Sequence, residues 1–406
     1  MTGRERIRAL LAGRAIDRVA NGLGGCETAG MHLLAYENLK KVLGLDDPGC
    51  RMYTFMTNAV FEPAVLKAIG GDLIVLNSRM CPSRLWGPGA VEQWKDQRLW
   101  GRTFQVPVAW NFADEADGST RWLNYGMRCP PGGIYFAREP AATGAPLPDM
   151  ADQPSPDDFH PAHELPEEML REMETAARWL HENTDLAICC GESVHDLQLS
   201  PGGTLAWWMR LASERQACHD FLAKAVEASL AQIRQVHQAV GGYCEMMAVA
   251  HDLGDRRGVT MGPDLWREIY LPHYRDWFAG WHARTDMKIM LHACGSMCDI
   301  LGDLIECGLD IFNPVQVSAR GMSAPELAAR FGEKLIFYGG ALDAVVTPPG
   351  TPDEAVYEQA AGVIRAFAGG RGYLFAGTHN IPGDTPPGHL KAILRAFDDA
   401  ARGGAV

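Results

Sequence analysis

Nowhere do the 406 residues run to the ~20 consecutive apolar positions that a membrane-spanning helix requires, so no span is expected. Runs of Lys and Arg are missing too. With 37 basic against 50 acidic residues, the net charge of −13 would repel a phosphate backbone, which excludes nucleic acid as a partner. There is no internal repeat of solenoid or propeller period and no low-complexity tail. The opening MTGRERIRALLAGRAIDR has charges where a signal peptide needs an apolar core, so a cytoplasmic location is expected. The 11 cysteines are odd in number and irregularly spaced, in a chain long enough to bury a core without staples. A disulfide framework is therefore excluded, and reduced thiols are left available as metal ligands.

What is present is the composition of an ordinary globular protein, 47% hydrophobic and 21% charged. Seven or eight short apolar runs lie along it: Val19–Leu23, Leu73–Leu76, the LAICC segment ending before Gly191, Cys244–Ala250, Met287–Leu291, Leu309–Phe312, Leu335–Tyr338 and Tyr373–Ala376. From LAICC onward, segments of helical periodicity separate them. Alternating strands and helices imply a parallel sheet with right-handed crossovers, and the count fits a closed (β/α)8 TIM barrel. An open doubly wound sheet is the alternative, but Gly22–Gly25 (GLGG) lacks the spacing of a phosphate loop. The chain reads as a single domain over 1–406 with an insertion over 92–166. Glu92–Phe136 has the Trp, Tyr, Thr and turn signals of a hairpin layer, and the proline-rich stretch Pro140–Pro166 reads as a surface excursion.

A barrel builds its site at the C-terminal ends of its strands. The residues following the apolar runs there are Glu192 and His195; His251, Asp252 and Asp255; His292 and Cys294; Asn313 and Gln316; Asp343; and His379. The His292-Ala-Cys294 pair is the sharpest of these, because imidazole and thiolate together suit Zn²⁺ and one intervening residue lets both turn to one point. A catalytic zinc takes about three protein ligands. The third is open between His379, Gln316 and Cys298. Asp252 and Asp343 each read equally as helix caps or substrate contacts. His273 reads as structural, and Met246, Met247, Trp207 and Trp208 as core.

At these residues the sequence resembles the uroporphyrinogen decarboxylase superfamily over nearly its whole length. The likeness rests on RERIRALLAGRAIDRV, LKAIGGDLIVL, HDLGDRRGVTMGPDLWREIYLPHYR, LHACGSMCDILGDLIECGLDIFNPVQ, FYGGALD and GYLFAGTHNIPGDTPPGHL. The resemblance implies a (β/α)8 barrel and either decarboxylase or zinc-dependent, corrinoid-linked methyltransferase chemistry. It departs from the porphyrinogen decarboxylases twice: NGLGGCETAG lacks the arginines of their RQAGR-like segment, and LNSRM puts Arg79 where they carry an essential aspartate. The methyltransferase branch joins its His-x-Cys pair to a later cysteine, where this chain offers His379.

The expected activity is therefore a zinc-dependent demethylation, moving methyl from a small O-, S- or N-methylated donor to a corrinoid protein or a thiol. Its metal would lie on His292, Cys294 and His379. Asp252, Glu192 and Asp343 would serve in proton transfer or positioning, and Arg79, His251, Asn313 and Gln316 in substrate contact. Exchanging a thiolate for a neutral histidine raises the positive charge at the metal, which favours activation of an oxygen or sulfur leaving group. No DxHxxG corrinoid signature occurs, so a corrinoid would arrive on a separate protein. The alternative is a metal-independent decarboxylase or lyase of a non-porphyrin acid, with Arg79 on a carboxylate and His379 as proton donor. A third class is a binding protein without turnover. Decarboxylase relatives are dimeric, and a helix-rich exterior leaves room for a homodimer.

Overall fold

In the computed structural model, which describes residues 1–45, 49–138 and 155–403, eight short parallel strands form one sheet. They are β1 (Ala20–Asn21), β2 (Leu73–Val75), β3 (Ala187–Cys190), β4 (Met246–Ala250), β5 (Lys288–His292), β6 (Ile311–Asn313), β7 (Ile336–Tyr338) and β8 (Tyr373–Phe375). Hydrogen-bonded neighbours run from β1 through β8 and back down to β2. The seam between β1 and β2 is bridged by the Asp72 amide donating to the Asn21 carbonyl at 2.9 Å. The result is the (β/α)8 barrel that the apolar runs predict. Two ends differ from the runs: β5 extends to His292 and β6 to Asn313, so both residues belong to their strands.

Strand alternation builds two apolar layers. Leu73, Ala187, Cys189, Met246, Ala248, Met290, Ile311, Ile336 and Leu374 pack together inside the ring. Their neighbours Ile188, Met247, Val249, Ile289, Leu291, Phe312, Phe337 and Phe375 pack outward against the helices. Those helices are amphipathic: in Glu167–Asn183 the buried positions are Met173, Ala176, Ala177 and Leu180, one stripe at helical spacing. Met246 and Met247 are core as expected, and His273 lies within the helix Leu271–His282. Of the tryptophan doublet, Trp207 is buried but Trp208 is 42% exposed, because successive helix positions point about 100° apart.

The helix Gly3–Leu11, started by a capping box between Thr2 and Glu5, closes the N-terminal end of the barrel. Its Ile7, Leu10 and Leu11 join the interior layer. Arg6 and Arg18 both pair with Asp72, a residue 1% exposed, and Arg8 pairs with Glu245 at 2.9 Å. With that end plugged, the C-terminal mouth is left for chemistry.

Between β2 and β3 the chain makes the predicted antiparallel layer. A hairpin pairs Trp94–Leu99 with Arg102–Pro107, and a four-stranded sheet follows from Phe112–Asp114 to Ala137–Arg138. Trp110, Trp122, Tyr125, Phe112 and Phe136 form its aromatic centre. The layer is tied to the loops after β1, β8 and β2 by His32 to the Ile134 carbonyl, the Gly383 amide to the Tyr135 hydroxyl and the Tyr125 hydroxyl to the Met80 carbonyl, all within 2.9 Å. Much of the proline-rich stretch falls outside the described residues. Among the described residues no helix is long and apolar enough to cross a membrane.

Candidate active site

At the mouth, His292 ends β5 and Cys294 follows it. The chain turns at once through Gly295, whose φ is +91° and where an added Cβ would lie only 2.5–2.7 Å from the Asp255 and Gly254 backbone. The turn is fixed by the Gly295 amide donating to Gln316 Oε1 at 2.8 Å and the Cys294 amide donating to Asp252 Oδ1 at 3.2 Å. His292 Nδ1 lies 2.6 Å from Asn313 Oδ1, which also accepts the Thr28 hydroxyl at 2.8 Å. The Asn313 amide nitrogen donates in turn to the Tyr338 carbonyl, which fixes the amide's orientation. An oxygen facing Nδ1 requires a proton there, so the lone pair of His292 lies on Nε2.

That Nε2 points at Cys294 Sγ, 3.3 Å away. His379, from the loop after β8, meets His292 edge-on with ring centroids 5.2 Å apart. Ligand atoms of His292, Cys294 and His379 all lie within 4.8 Å of one another. Tetrahedral zinc with nitrogen at about 2.05 Å and sulfur at about 2.3 Å sets such atoms about 3.6 Å apart; the His292 Nε2–Cys294 Sγ pair at 3.3 Å is near that spacing, and two imidazoles with one thiol are a donor set that suits the metal. Burial keeps both imidazoles neutral and their lone pairs free, His379 being held down to about 4 and His292 below its ordinary value. The same burial, with Asp252 nearby, pushes the Cys294 thiol up to about 12. A cation at this point would remove that proton. Of the alternative third ligands, Gln316 is engaged by Gly295, and Cys298 contacts the hydroxyl of Ser296.

A second group of charges faces this cluster across the mouth. Arg79 pairs with Glu192 at 3.1 Å and lies 3.6 Å from Asp196. Beyond them is Glu27, in the turn Glu27–Ala29 after β1, only 3% exposed and with neither carboxylate oxygen hydrogen-bonded. Burial first, then the neighbouring Glu192, raises Glu27, and the Ser78 hydroxyl and Arg79 offset only part of this, so the pair keeps a proton to about pH 8. Asp196 and Glu192 are also raised, chiefly by burial.

The sequence model of the uroporphyrinogen decarboxylase (URO-D) family matches residues 200–400, which contain β4 to β8 and the His292, Cys294 and His379 cluster. Residues 200–400 thus belong to the uroporphyrinogen decarboxylase superfamily. A methyltransferase from Methanosarcina mazei shares its fold, at 17% identity and a TM-score of 0.57, over 98% of this chain and 99% of that one. Xylanase B from Clostridium stercorarium F9 is more distant, at 14% identity and a TM-score of 0.37 over 59% of this chain and 86% of that one. No curated protein matches.

Within this uroporphyrinogen decarboxylase-like barrel the predicted residues divide by surroundings. Asp252 is largely exposed beside His292 Nε2, at 3.9 Å. Asp343 is buried and accepts from the Val345 and Ser318 amides at 2.9 and 3.2 Å, tying the loops after β7 and β6 together. His251 is buried against Tyr274, its Nδ1 2.8 Å from the hydroxyl, and burial holds it neutral down to about 3. Glu27 is the residue that sequence reasoning misses. It occupies the NGLGGCETAG segment, where the decarboxylases carry arginine. The available signal was that it is the lone Asp, Glu, Lys or Arg between Arg18 and Glu37.

Glu27 has a stability consequence. The folded protein holds an extra proton between the ordinary glutamate value near 4.5 and about 8, so stability falls as pH rises through that window. Glu27→Gln should relieve a penalty on the order of a few kcal/mol above pH 8 and none at pH 4.5. Thermal melts from pH 4.5 to 9 should show the variant pulling ahead of the parent as pH rises. Parallel melting curves would contradict the buried, proton-holding carboxyl.

Proposed function

We propose that the chain is a zinc-dependent methyltransferase, moving methyl from a small O-, S- or N-methylated donor to a corrinoid protein or a thiol. The observation that carries this reading is the convergence of His292 Nε2, Cys294 Sγ and His379 at the mouth, a set suited to zinc with a fourth position left for a reactant. When bound, the metal supplies Lewis acidity toward the heteroatom or thiol that gives up or takes the methyl group. The fold shared with a protein described as a methyltransferase supports the choice of branch.

The chain's own residues supply the rest. Asn313 fixes the tautomer and direction of His292, as a supporting partner of a metal-binding histidine does. Asp252, exposed beside the cluster, would hold or release a proton at the reacting end of the donor, and the buried Glu192 would act in positioning the donor from across the mouth. Asp343 acts as a positioning residue through the backbone amides it binds. The inserted layer, tied to the loops after β1, β2 and β8, limits what enters. An acceptor corrinoid would come on a separate protein and dock over the mouth. Arg79 is engaged by Glu192 and Asp196 and would have to exchange these partners to receive the carboxylate that the lyase alternative places on it.

Incubating the zinc-loaded protein with methyl ethers, thioethers and methylamines, with cob(I)alamin or a thiol as acceptor, tests the proposal. Methylated acceptor should form with one donor class and cease on chelation of the metal. Carbon dioxide release from a carboxylic acid that persists with chelator would replace this reading with the lyase.

A further inference from the structure

Glu192 lies under the influence of the Asp196 and Asp252 carboxyls and itself acts on Glu27, and the guanidinium of Arg79, paired with Glu192 and near Asp196, is the cation set among them. Glu27 carries the point. Its side chain is buried and neither oxygen completes a hydrogen bond, the Ser78 hydroxyl beside it offsetting only part of the burial, and such a group costs stability unless something fills its need. Arg79 does not fill it. The guanidinium engages Glu192 and Asp196 and is 45% exposed, so its ion pairs are weak and open to exchange. The groups facing Glu27 are Ser78, Arg79 and Cys81 from the segment after β2, Glu192 after β3, Cys189 on β3, and Tyr53. The neighbouring Thr28 bonds Asn313, the residue that holds His292. The carboxyl group and the metal-suited cluster thus belong to one mouth.

We propose that Glu27, Glu192 and Asp196 form a cation subsite that takes the ammonium end of a small substrate while its other end reaches the His292, Cys294 and His379 cluster. The inference rests on reading that cluster as the reaction centre. It narrows the donor to a molecule with a positive charge set apart from its methylated heteroatom. Because Glu27 holds a proton when the subsite is empty, an arriving cation displaces it.

Calorimetry of the full chain with 2-methoxyethylammonium, 2-methoxyethanol and methoxyacetate tests this, since the three probes share a methyl ether and differ in charge at the other end. At pH 7 the ammonium should bind at least about tenfold more tightly than the neutral ether, and methoxyacetate most weakly. Heats in buffers of different ionisation enthalpy should show release of about one proton per ammonium, and affinity should climb as much as about tenfold per pH unit from 6 toward 8. Glu27→Gln and Glu192→Gln should each cost about tenfold or more in ammonium affinity with circular dichroism unchanged, and Glu27→Gln should abolish the proton release. The subsite is overturned if methoxyacetate binds as tightly as the ammonium, if affinity is unchanged in both variants, or if no probe gives heat. Cys294→Ala separates the two readings: ammonium affinity kept within about twofold in a zinc-free variant shows the subsite independent of the metal. Zinc retained by the parent with no ammonium binding removes the subsite and leaves the metal reading in place.

Discussion

Cys294→Ala should leave the protein folded but unable to retain zinc or transfer methyl. Cys294 follows the end of β5 and is only partly buried, so truncating its side chain opens no core cavity and should change stability by no more than about 1 kcal/mol. Its sulfur, 3.3 Å from His292 Nε2, is the one thiolate of the cluster, and two neutral imidazoles are a poor zinc site without it. Asn313→Ala gives a graded comparison. It keeps all three ligands but frees the His292 ring, and should weaken zinc about 10–100-fold, the usual cost of losing a supporting partner. Zinc content after dialysis, with thermal melts on the same samples, measures both. A Cys294→Ala protein that keeps a full equivalent of zinc would remove Cys294 from the ligand set.

Asp72→Ala should have the largest effect on stability, about 3–5 kcal/mol, because it strands buried charge at the barrel's closed end. Asp72 receives Arg6 and Arg18, the latter at 2.8 Å, and also accepts the Asn21 amide at 2.8 Å, so one carboxylate joins the first helix, β1 and β2 at the seam. Without it, Arg6, which is 4% exposed, keeps only Asp17 and the Met1 carbonyl. The urea midpoint should fall sharply while Cys294→Ala stays near the parent. A loss below about 1 kcal/mol would show the seam to be held by backbone pairing and apolar contact alone.

The barrel was readable in the sequence because parallel strands covered on both faces must be apolar throughout, which marks each as a short run whose end can be counted. The layer over the mouth was readable for a different reason, its turn residues and aromatics. Strand ends were less sharp: His292 and Asn313 are polar yet lie in strands, since each side chain bonds the other over the barrel mouth. The meeting of His379 with His292 and Cys294 depends on loops from β8 and β5, strands that are not neighbours in the ring, and spacing alone left His379, Gln316 and Cys298 open. Glu27 was hidden because the run Val19–Leu23 is interrupted by Asn21 and Gly22, and Gly24, Gly25 and Cys26 separate its end from Glu27. Its significance comes from long-range burial beside Glu192, a property of the closed ring.

Zinc-edge X-ray absorption of the metal-loaded parent protein tests the zinc site of two histidines and one cysteine. The expected spectrum has one sulfur neighbour at about 2.3 Å and nitrogen or oxygen neighbours at about 2.0–2.1 Å in four-coordinate geometry. Two or more sulfur neighbours, none at all, or a protein that takes up no zinc would contradict it.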